Sequence, residues 1–437
     1  RNTFGVLLAS DNAPGDFSEE EKNDPENFKE IARFIDKNAY IGVLRVKRDI
    51  GQESSLGLIG TTYSFIEKHN HLGGVDGRFR LDKQTVLSFQ VLGTNSRNFF
   101  YDPDRDQSIY RTGNAVAYSW NYDYTSKNFG YFVGGEGRTR DYRADVGFTT
   151  RTNTNNQSFF LRYSTDPKPK AKLIFFRIVS FNNLSYDWQG RLTNRSNGSE
   201  VGLSFAKNTF VGGGGQVGYE RIFEEEFGPK RGLTRQGAFS GDNSERSTNP
   251  SSIFMFIESN PTDKFSVFAF TGRRLNIFDF DFGAGPRYPR VSPAALRDPD
   301  APLDPGRANA FDIEVGFNYK PVAALNASLD YERTRLTRKD TGRTVFVSNI
   351  YSLTSTFQFT RFTFVRARLD YDTLGSTLRG QYLFGWTPNP GTSFYLGYND
   401  DLNYNGFSPF TNQYEPGFRR NGRTFFIKTS YLFRRSI

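Results

Sequence analysis

Cysteine is absent from all 437 residues, methionine occurs once and histidine only twice. Without cysteine there can be no disulfides, thiolate metal sites or thiol nucleophile. No apolar run approaches the roughly 18 residues that a membrane-spanning helix needs. The greasiest segment, "KLIFFRIVSF" from Lys172 to Phe181, is already broken by Arg177. A helical membrane protein is thereby excluded. A membrane β-barrel is not, because its strands average apolar and polar faces and escape hydropathy windows. A methionine at position 1 and a signal peptide are also missing, so the chain reads as a processed or truncated product. Nor is there a basic helix or a nucleic-acid motif. The net charge of +9 comes from arginines that alternate with Asp and Glu, which suits anionic lipid or an anionic solute and not nucleic acid.

What is abundant is aromatic: 45 Phe, 23 Tyr and 42 Gly stand against a hydrophobic content of only 36%. That skew points to β-structure with aromatic belts. Period two runs through most of the chain. From Phe311 to Tyr319 every odd residue is apolar or aromatic and every even one polar or Gly. Leu325, Ala327, Leu329 and Tyr331 alternate with Asn326, Ser328, Asp330 and Glu332, and Val116, Tyr118, Trp120, Tyr122 and Tyr124 follow the same rule. Val365, Ala367, Leu369 and Tyr371 alternate with Arg366, Arg368 and Asp370. A soluble sandwich also alternates, but it would not set aromatic tips at so many strand ends.

The connections separate the two architectures further. Short links fall near 50–53, 82–85, 125–128, 166–170, 207–209, 260–264, 320–323, 358–361 and 388–391. Between them lie more polar and usually longer ones at 11–38, 99–113, 141–155, 222–250, 276–309 and 405–422. Alternation of short with long is the habit of outer-membrane barrels, with tight periplasmic turns and large extracellular loops. The fold class expected is therefore all-β: a transmembrane antiparallel up-and-down β-barrel of about 20 strands, mostly 9 to 12 residues each. It would be a single domain over residues 1–437, with both termini periplasmic. Its long extracellular loops would be 11–38, 222–250 and 276–309. Residues 172–208 read as one long strand, or as a strand concealing a bulge or an extra hairpin. The closing strand, from Arg423 onward, is expected to pair with the first strand near Thr3–Ala9. One helix is expected in the first loop, with Asp24 as N-cap, Pro25 at its first position, and Phe28, Ile31 and Ile35 on one face.

Four segments carry a resemblance: "VLRVKRDIGQESSLGLIGTTYSF", "HLGGVDGRFRLDKQTVLSFQVLGTNS", "ADVGFTTRTN" and the terminal "FFIKTSYLFRRSI". Together they resemble a Gram-negative envelope family of undefined role. In that family a C-terminal outer-membrane barrel follows a periplasmic module similar to family 9 carbohydrate-binding domains. The likeness runs over nearly the whole chain, and no counterpart of the periplasmic module is present in it. The resemblance implies the barrel and the outer membrane. An aromatic-rich last strand also resembles the signal read by barrel-assembly machinery, although Arg434–Ile437 departs from the usual terminal aromatic.

Candidate residues follow from the faces. Inward carboxylates Asp312, Glu314, Asp330 and Glu332 are expected to meet Arg78, Arg366, Arg368 and Arg379 from other strands and to line a polar lumen. Outward and interfacial positions are Tyr118, Trp120, Phe317, Tyr319, Tyr371, Trp386, Phe425, Ile427, Tyr431 and Phe433. His69 and His71 read as a polar extracellular turn, not as a metal site, because a closed site needs further ligands. Asp102, Asp104 and Asp106 open like a calcium loop, but Gln107 replaces the sixth-position Gly and Gly113 the twelfth-position Glu. They are weak metal candidates, and Asp298, Asp300 and Asp304 are no stronger. Gly212–Gly215 lacks the Lys-Ser/Thr of a phosphate loop and reads as a bend or a close-packing site inside the lumen. There is no Gly-x-Ser-x-Gly and no histidine near a serine nucleophile, so no catalytic residue, no enzyme activity and no cofactor is expected. The functional expectation is a pore or plugged conduit for a polar, anionic or sugar-like solute. The alternative is a scaffold that encloses or tethers a protein without an open channel. The partners expected are outer-membrane lipid, lipopolysaccharide and a periplasmic or lumen-occupying protein.

Overall fold

A computed structural model of the chain describes residues 1–408 and 411–432. Alternating residues become strands throughout. In chain order these are β1 (Asn2–Asp11), β2 (Ala39–Asp49), β3 (Ser55–Phe65), β4 (Lys68–Arg80), β5 (Thr85–Asp102), β6 (Gln107–Thr125), β7 (Phe129–Arg138) and β8 (Thr154–Ser164). Next come β9 (Leu173–Tyr186), β10 (Leu192–Phe205), β11 (Thr209–Phe223), β12 (Glu245–Thr248), β13 (Ser251–Thr262), β14 (Phe265–Asp279), β15 (Gly306–Val322) and β16 (Leu325–Arg338). The rest are β17 (Thr344–Thr360), β18 (Thr363–Asp372), β19 (Thr377–Asn389), β20 (Thr392–Tyr404), β21 (Phe407–Ser408), β22 (Gln413–Tyr414) and β23 (Phe418–Tyr431). The count of 23 exceeds the expected 20 because β12, β21 and β22 are short strands inside long connections. All but β21 and β22 belong to one sheet.

The chain divides into two compact units. The first holds Arg1–Tyr163, Val179–Asn197 and Gly218–Ala238; the second holds Ser164–Ile178, Gly198–Val217 and the residues from Phe239 onward. Within the first, β1 to β8 pair antiparallel in chain order. Within the second, β13 to β20 do the same, β11 pairs with β13, and β23 pairs with β20. Every one of the nine expected short links is present. Four of them, at 263–264, 323–324, 361–362 and 390–391, are two-residue turns. Long connections occupy 12–38, 139–153, 224–250, 280–305 and 405–417.

Several boundaries differ from expectation. The 99–113 connection shrinks to 103–106, because β5 and β6 run on as a hairpin of 18 and 19 residues. Its outer part is held by Phe99 against Tyr110, ring centroids 5.3 Å apart, with Arg97 over the Tyr110 ring. Residues 172–208 form two strands, β9 and β10, turned at 187–191, where Asp187 accepts hydrogen bonds from the backbone N–H groups of Gln189 and Arg191. His69 and His71 lie on β4 and not in a turn, since the turn is only residues 66–67. Among the described residues β1 pairs only with β2 and β23 only with β20, so the expected seam between first and last strands is not formed. It is the one pairing in such a sheet that no connecting turn could hold in register. In the first connection, α1 (Glu19–Asn23) begins with a capping box of Ser18 and Glu21, and α2 (Pro25–Ile31) is capped by Asp24 as expected. The expected apolar face of α2 is not buried. Phe34, beyond its end, stacks on Phe65 instead.

Register turns the alternation into two chemically distinct faces. In the second unit Phe317, Leu329, Leu353 and Leu369 stand opposite one another in a row, and Val315, Tyr331, Tyr351 and Tyr371 form the next. The tyrosine rings touch, with centroids 4.9 and 6.3 Å apart. Tyr319, Phe357, Trp386 and Tyr431 mark the short-turn end of the same face and are all exposed. The first unit presents Phe4, Val6, Leu44, Leu58, Val75, Val91, Tyr118 and Trp120 on one face in the same way. An apolar stripe between aromatic rows, with no protein over it, is a surface suited to hydrocarbon. An arginine placed at Leu329 should cost about 2–4 kcal/mol in a bilayer, whereas one at the adjacent Ser328, on the polar face, should cost under about 1 kcal/mol. Urea titration in lipid vesicles measures both, and equal losses would refute the face assignment.

Candidate functional site

All eight expected inward residues lie on the polar face, but they pair differently from expectation. Asp312 takes a bidentate contact from Arg274, both bonds 2.9 Å, and a third from the Thr334 hydroxyl at 3.0 Å. Glu314 stands opposite Glu332, and Asp330 opposite Gly316. These three carboxylates have no basic partner among the described residues. Arg368 pairs with Asp370 at 2.7 Å, Arg379 with Asp401 at 3.9 Å, and Arg366 lies against the Phe364 ring. The acids of β15 and β16 therefore do not meet Arg366, Arg368 or Arg379. Strand β17 lies between them and offers the polar face no charge, only uncharged side chains such as Ser348, Ile350, Ser352, Thr354 and Thr356. The carboxylates of β16 and the arginines of β18 stand two strand spacings, about 10 Å, apart, and Arg368 and Arg366 are engaged by Asp370 and Phe364 on their own strand. Arg78, in the first unit, donates to the Glu53 carbonyl at 3.0 Å.

The pair that does join two neighbourhoods of the first unit is Arg45 with Asp76, in a bidentate contact across β3. It is possible because Gly57 lies beneath it. A Cβ there would sit 2.6 Å from the Arg45 Nη2 and 2.7 Å from the Asp76 Oδ1. Nothing in the alternation distinguishes this contact. The only signal is a Gly at an inward position flanked two strands apart by opposite charges.

Long connections fold back onto the polar face. In the first unit Tyr142 and Ala144 pack on Leu72, Ala115 and Ala117. Fully buried Asn70 donates to Ser96 Oγ at 2.7 Å and to the Arg143 carbonyl at 3.1 Å, and accepts the Asp145 N–H at 3.1 Å. Arg111 grips Asp141 with bonds of 2.7 and 2.8 Å. A cleft of about 1020 Å³ opens beside this segment, walled by Phe17, Phe34, Tyr63, Phe100, Tyr142 and Arg143. In the second unit Val291 packs on Ala308, Ala310, Leu336 and Val345. Arg290 ties the 280–305 connection to itself through Asp281 at 2.6 Å and the carbonyls of Pro299, Ala301 and Pro302. Arg338, 1% exposed, bonds Asp279 and Asp340 at 2.9 Å each and the Asp304 carbonyl at 2.6 Å.

Aromatic rings also occur on the polar face, which the alternation did not foretell. Phe254, Phe256 and Phe270 lie there, over and beside Gly212, Gly214 and Gly272. Gly212–Gly215 is thus a close-packing site, but for rings of neighbouring strands and not for a loop. The sequence signal was "IFMFI", Ile253–Ile257, apolar on both faces of one strand.

The outward residues Tyr118, Trp120, Phe317, Tyr319, Tyr371, Trp386, Phe425, Ile427 and Tyr431 all lie on the apolar face. Phe433 lies outside the described residues. Asp102, Asp104 and Asp106 flank the tight 103–106 turn. Asp102 accepts the Asp104 N–H, Asp104 faces Lys230 at 3.6 Å, and Asp106 accepts the Tyr101 hydroxyl. Among the described residues no three His, Asp or Glu side chains are gathered to hold a metal. His69 and His71 stack, 4.8 Å between ring centroids, and bond Asn95 and Thr62 respectively.

Two outcomes follow from the anchors. Burial pushes the Tyr142 phenol above its usual value, with Arg138 partly opposing. The folded segment thus favours the neutral phenol. Its contribution to attachment is fully present below about pH 10 and is lost as pH rises through the raised value. Tryptic cleavage at Arg140 and Arg143 should accelerate above that pH, and Asn70→Ala, which strands a carbonyl and an N–H at about 1–3 kcal/mol, should give fast cleavage already at pH 8. Arg338→Ala should destabilise by about 3–5 kcal/mol, because buried Asp279 loses its cation. Hydrogen exchange across 280–305 reads this out, with protection unchanged if the pair is idle.

No family model and no curated protein matches the sequence. Solved structures do. The "Copper transporter OprC" aligns over 99% of this chain and 73% of its own, at TM-score 0.55 and 11% identity. The ferric enterobactin receptor PfeA of Pseudomonas aeruginosa, in complex with enterobactin, aligns over 97% of this chain and 72% of its own, at TM-score 0.50 and 9% identity. One is a transporter and the other a receptor, and at such identities the likeness is one of fold. What this chain shares with them is the fold, an antiparallel up-and-down transmembrane β-barrel.

Proposed function

We propose that the chain is an outer-membrane conduit that carries a polar solute along its polar face, narrowed by the segments folded onto that face. The observation that supports this most strongly is the anchoring of 139–153 and 280–305. Each is held against the polar wall of its own unit by buried side chains with specific partners. A wall that only braced an anchor would have no need to position segments over its wet side. In this reading Arg78, Asp312, Glu314, Asp330, Glu332, Arg366, Arg368 and Arg379 line the lumen, and the apolar face meets lipid.

The long-connection end faces outward in this reading, and both termini face the periplasm. Arg273, Arg333 and Arg335 support that orientation. They sit on the apolar face beyond the tyrosine row, without a carboxylate partner among the described residues, at the level where lipopolysaccharide phosphates would lie. Membership of the envelope family with "RDIG" and "GVDGRF" motifs belongs to the same proposal.

Planar bilayers test the conduit. The protein should open in stable steps, and Asn70→Ala and Arg338→Lys should enlarge the steps by loosening the two segments. A sealed, silent barrel in all three forms would overturn the conduit and leave a scaffold around a protein partner.

A further inference from the structure

In the second unit, five phenylalanines form a continuous path on a face that is otherwise polar. Phe175 meets Phe210 at 6.4 Å between centroids, Phe210 meets Phe256 at 5.7 Å, Phe256 meets Phe254 at 6.5 Å, and Phe254 meets Phe270 at 6.1 Å. Their planes differ by only 14° to 40° between neighbours. All five are half-buried. Glycines make this arrangement possible. A Cβ at Gly202 would strike the Phe210 ring, and one at Gly212 the Phe256 ring. One at Gly214 would press on Phe254 and one at Gly272 on Phe270. Ring surface left uncovered on a wetted wall is unfavourable unless a ligand covers it.

Hydrogen-bonding groups flank the path at both ends. At one end Arg177 pairs with Glu200 at 2.7 Å and lies over the Phe210 ring, 5.3 Å from its centroid. At the other Arg274 pairs with Asp312, and a recess of about 310 Å³ lies between them and Phe254, Phe270, Glu314 and Glu332. Glu314 is directly opposite both Phe270 and Glu332. The two facing carboxylates, without a basic partner among the described residues, repel anions at the inner end of the path. An anionic solute therefore fits it poorly.

We infer that this path is a binding track for a neutral oligosaccharide, whose flat C–H faces lie on the rings while its hydroxyl edges bond the Arg177–Glu200 and Arg274–Asp312 pairs. The geometry is that of ligand sites in general: apolar surface supplies contact, and a few fixed polar groups supply orientation. The assignment rests on the polar face being the lumen wall, and it names the cargo class of the proposed conduit.

Calorimetry on the full chain in detergent, with maltohexaose, cellohexaose and xylohexaose as probes, tests it. At least one hexaose should bind, and inorganic phosphate should not compete. Phe254→Ala with Phe256→Ala should weaken binding at least tenfold, Phe254→Tyr should retain it, and Ile257→Ala on the opposite face should leave it unchanged. If the double alanine variant fails to fold, shown by lost heat-modifiable gel mobility, the corresponding double leucine variant takes its place and should also bind more weakly. Absence of binding by all three hexaoses, or equal loss in Ile257→Ala, overturns the track. The two readings fail separately: a barrel that binds a hexaose but never conducts sinks the conduit, and one that conducts but binds none sinks the track.

Discussion

Hydrocarbon gives a peptide group nothing to bond with, so a chain that crosses it must satisfy its backbone within its own ladders. Nearly every other feature of this protein is a consequence. Ladders of ten residues or more force period two, and period two allows only two kinds of surface. Connections then fall alternately at opposite strand ends, where irregular backbone can meet water. The same constraint bears on β1 and β23. Among the described residues each is paired along one edge only, and each is almost wholly exposed. A bare edge in a bilayer costs several kcal/mol per unsatisfied group. Within the membrane those edges need a strand partner.

On the polar face the problem is different, because charged side chains must be held apart or paired in a thin, wet layer. Pairing is achieved at short range, with partners on adjacent strands or one strand further. Arg274 reaches Asp312 on the next strand, Arg368 reaches Asp370 on its own, and Arg45 reaches Asp76 over a glycine. The uncharged inner row of β17 separates an acidic patch on β15 and β16 from a basic one on β18 and β19. The polar wall of the second unit is therefore not uniformly mixed.

The barrel class was legible because it follows from composition and period, and the nine short links because turn residues interrupt that period. The apolar face was legible for the same reason, from Tyr118 to Tyr431. Pairings were not legible. Asp312, Glu314, Asp330 and Glu332 share one face of the sheet, as their alternation requires, but their partners depend on strand neighbourhood, which alternation does not encode. The rings of Phe254 and Phe256 were hidden by an apolar opposite face, since Ile253, Met255 and Ile257 give the strand an apolar run with no period. The extension of β5 and β6 was missed because Asp102 to Gln107 reads as loop chemistry, whereas stacking of Phe99 on Tyr110 holds the ladder further out.

The anchors of the folded-back segments explain why polar residues, and not larger apolar ones, were placed at Asn70 and Arg338. The apolar contacts beneath each segment are few: Tyr142 and Ala144 in one, Val291 in the other, resting on alanines and a leucine. Clusters so small fix a segment's presence without fixing its register, since apolar contact is non-directional. Asn70 adds direction by bonding a carbonyl and an N–H two residues apart, which only one register of 139–153 can supply. Arg338 does the same with the Asp279 carboxylate and the Asp304 carbonyl, one at each end of the 280–305 connection, while Asp340 of the turn that follows β16 holds the guanidinium in place. Networks of this kind contribute little net stability once desolvation is counted, but they are costly to break on one side. A segment held that way is either fully seated or fully released, which is the behaviour that the proposed constriction requires.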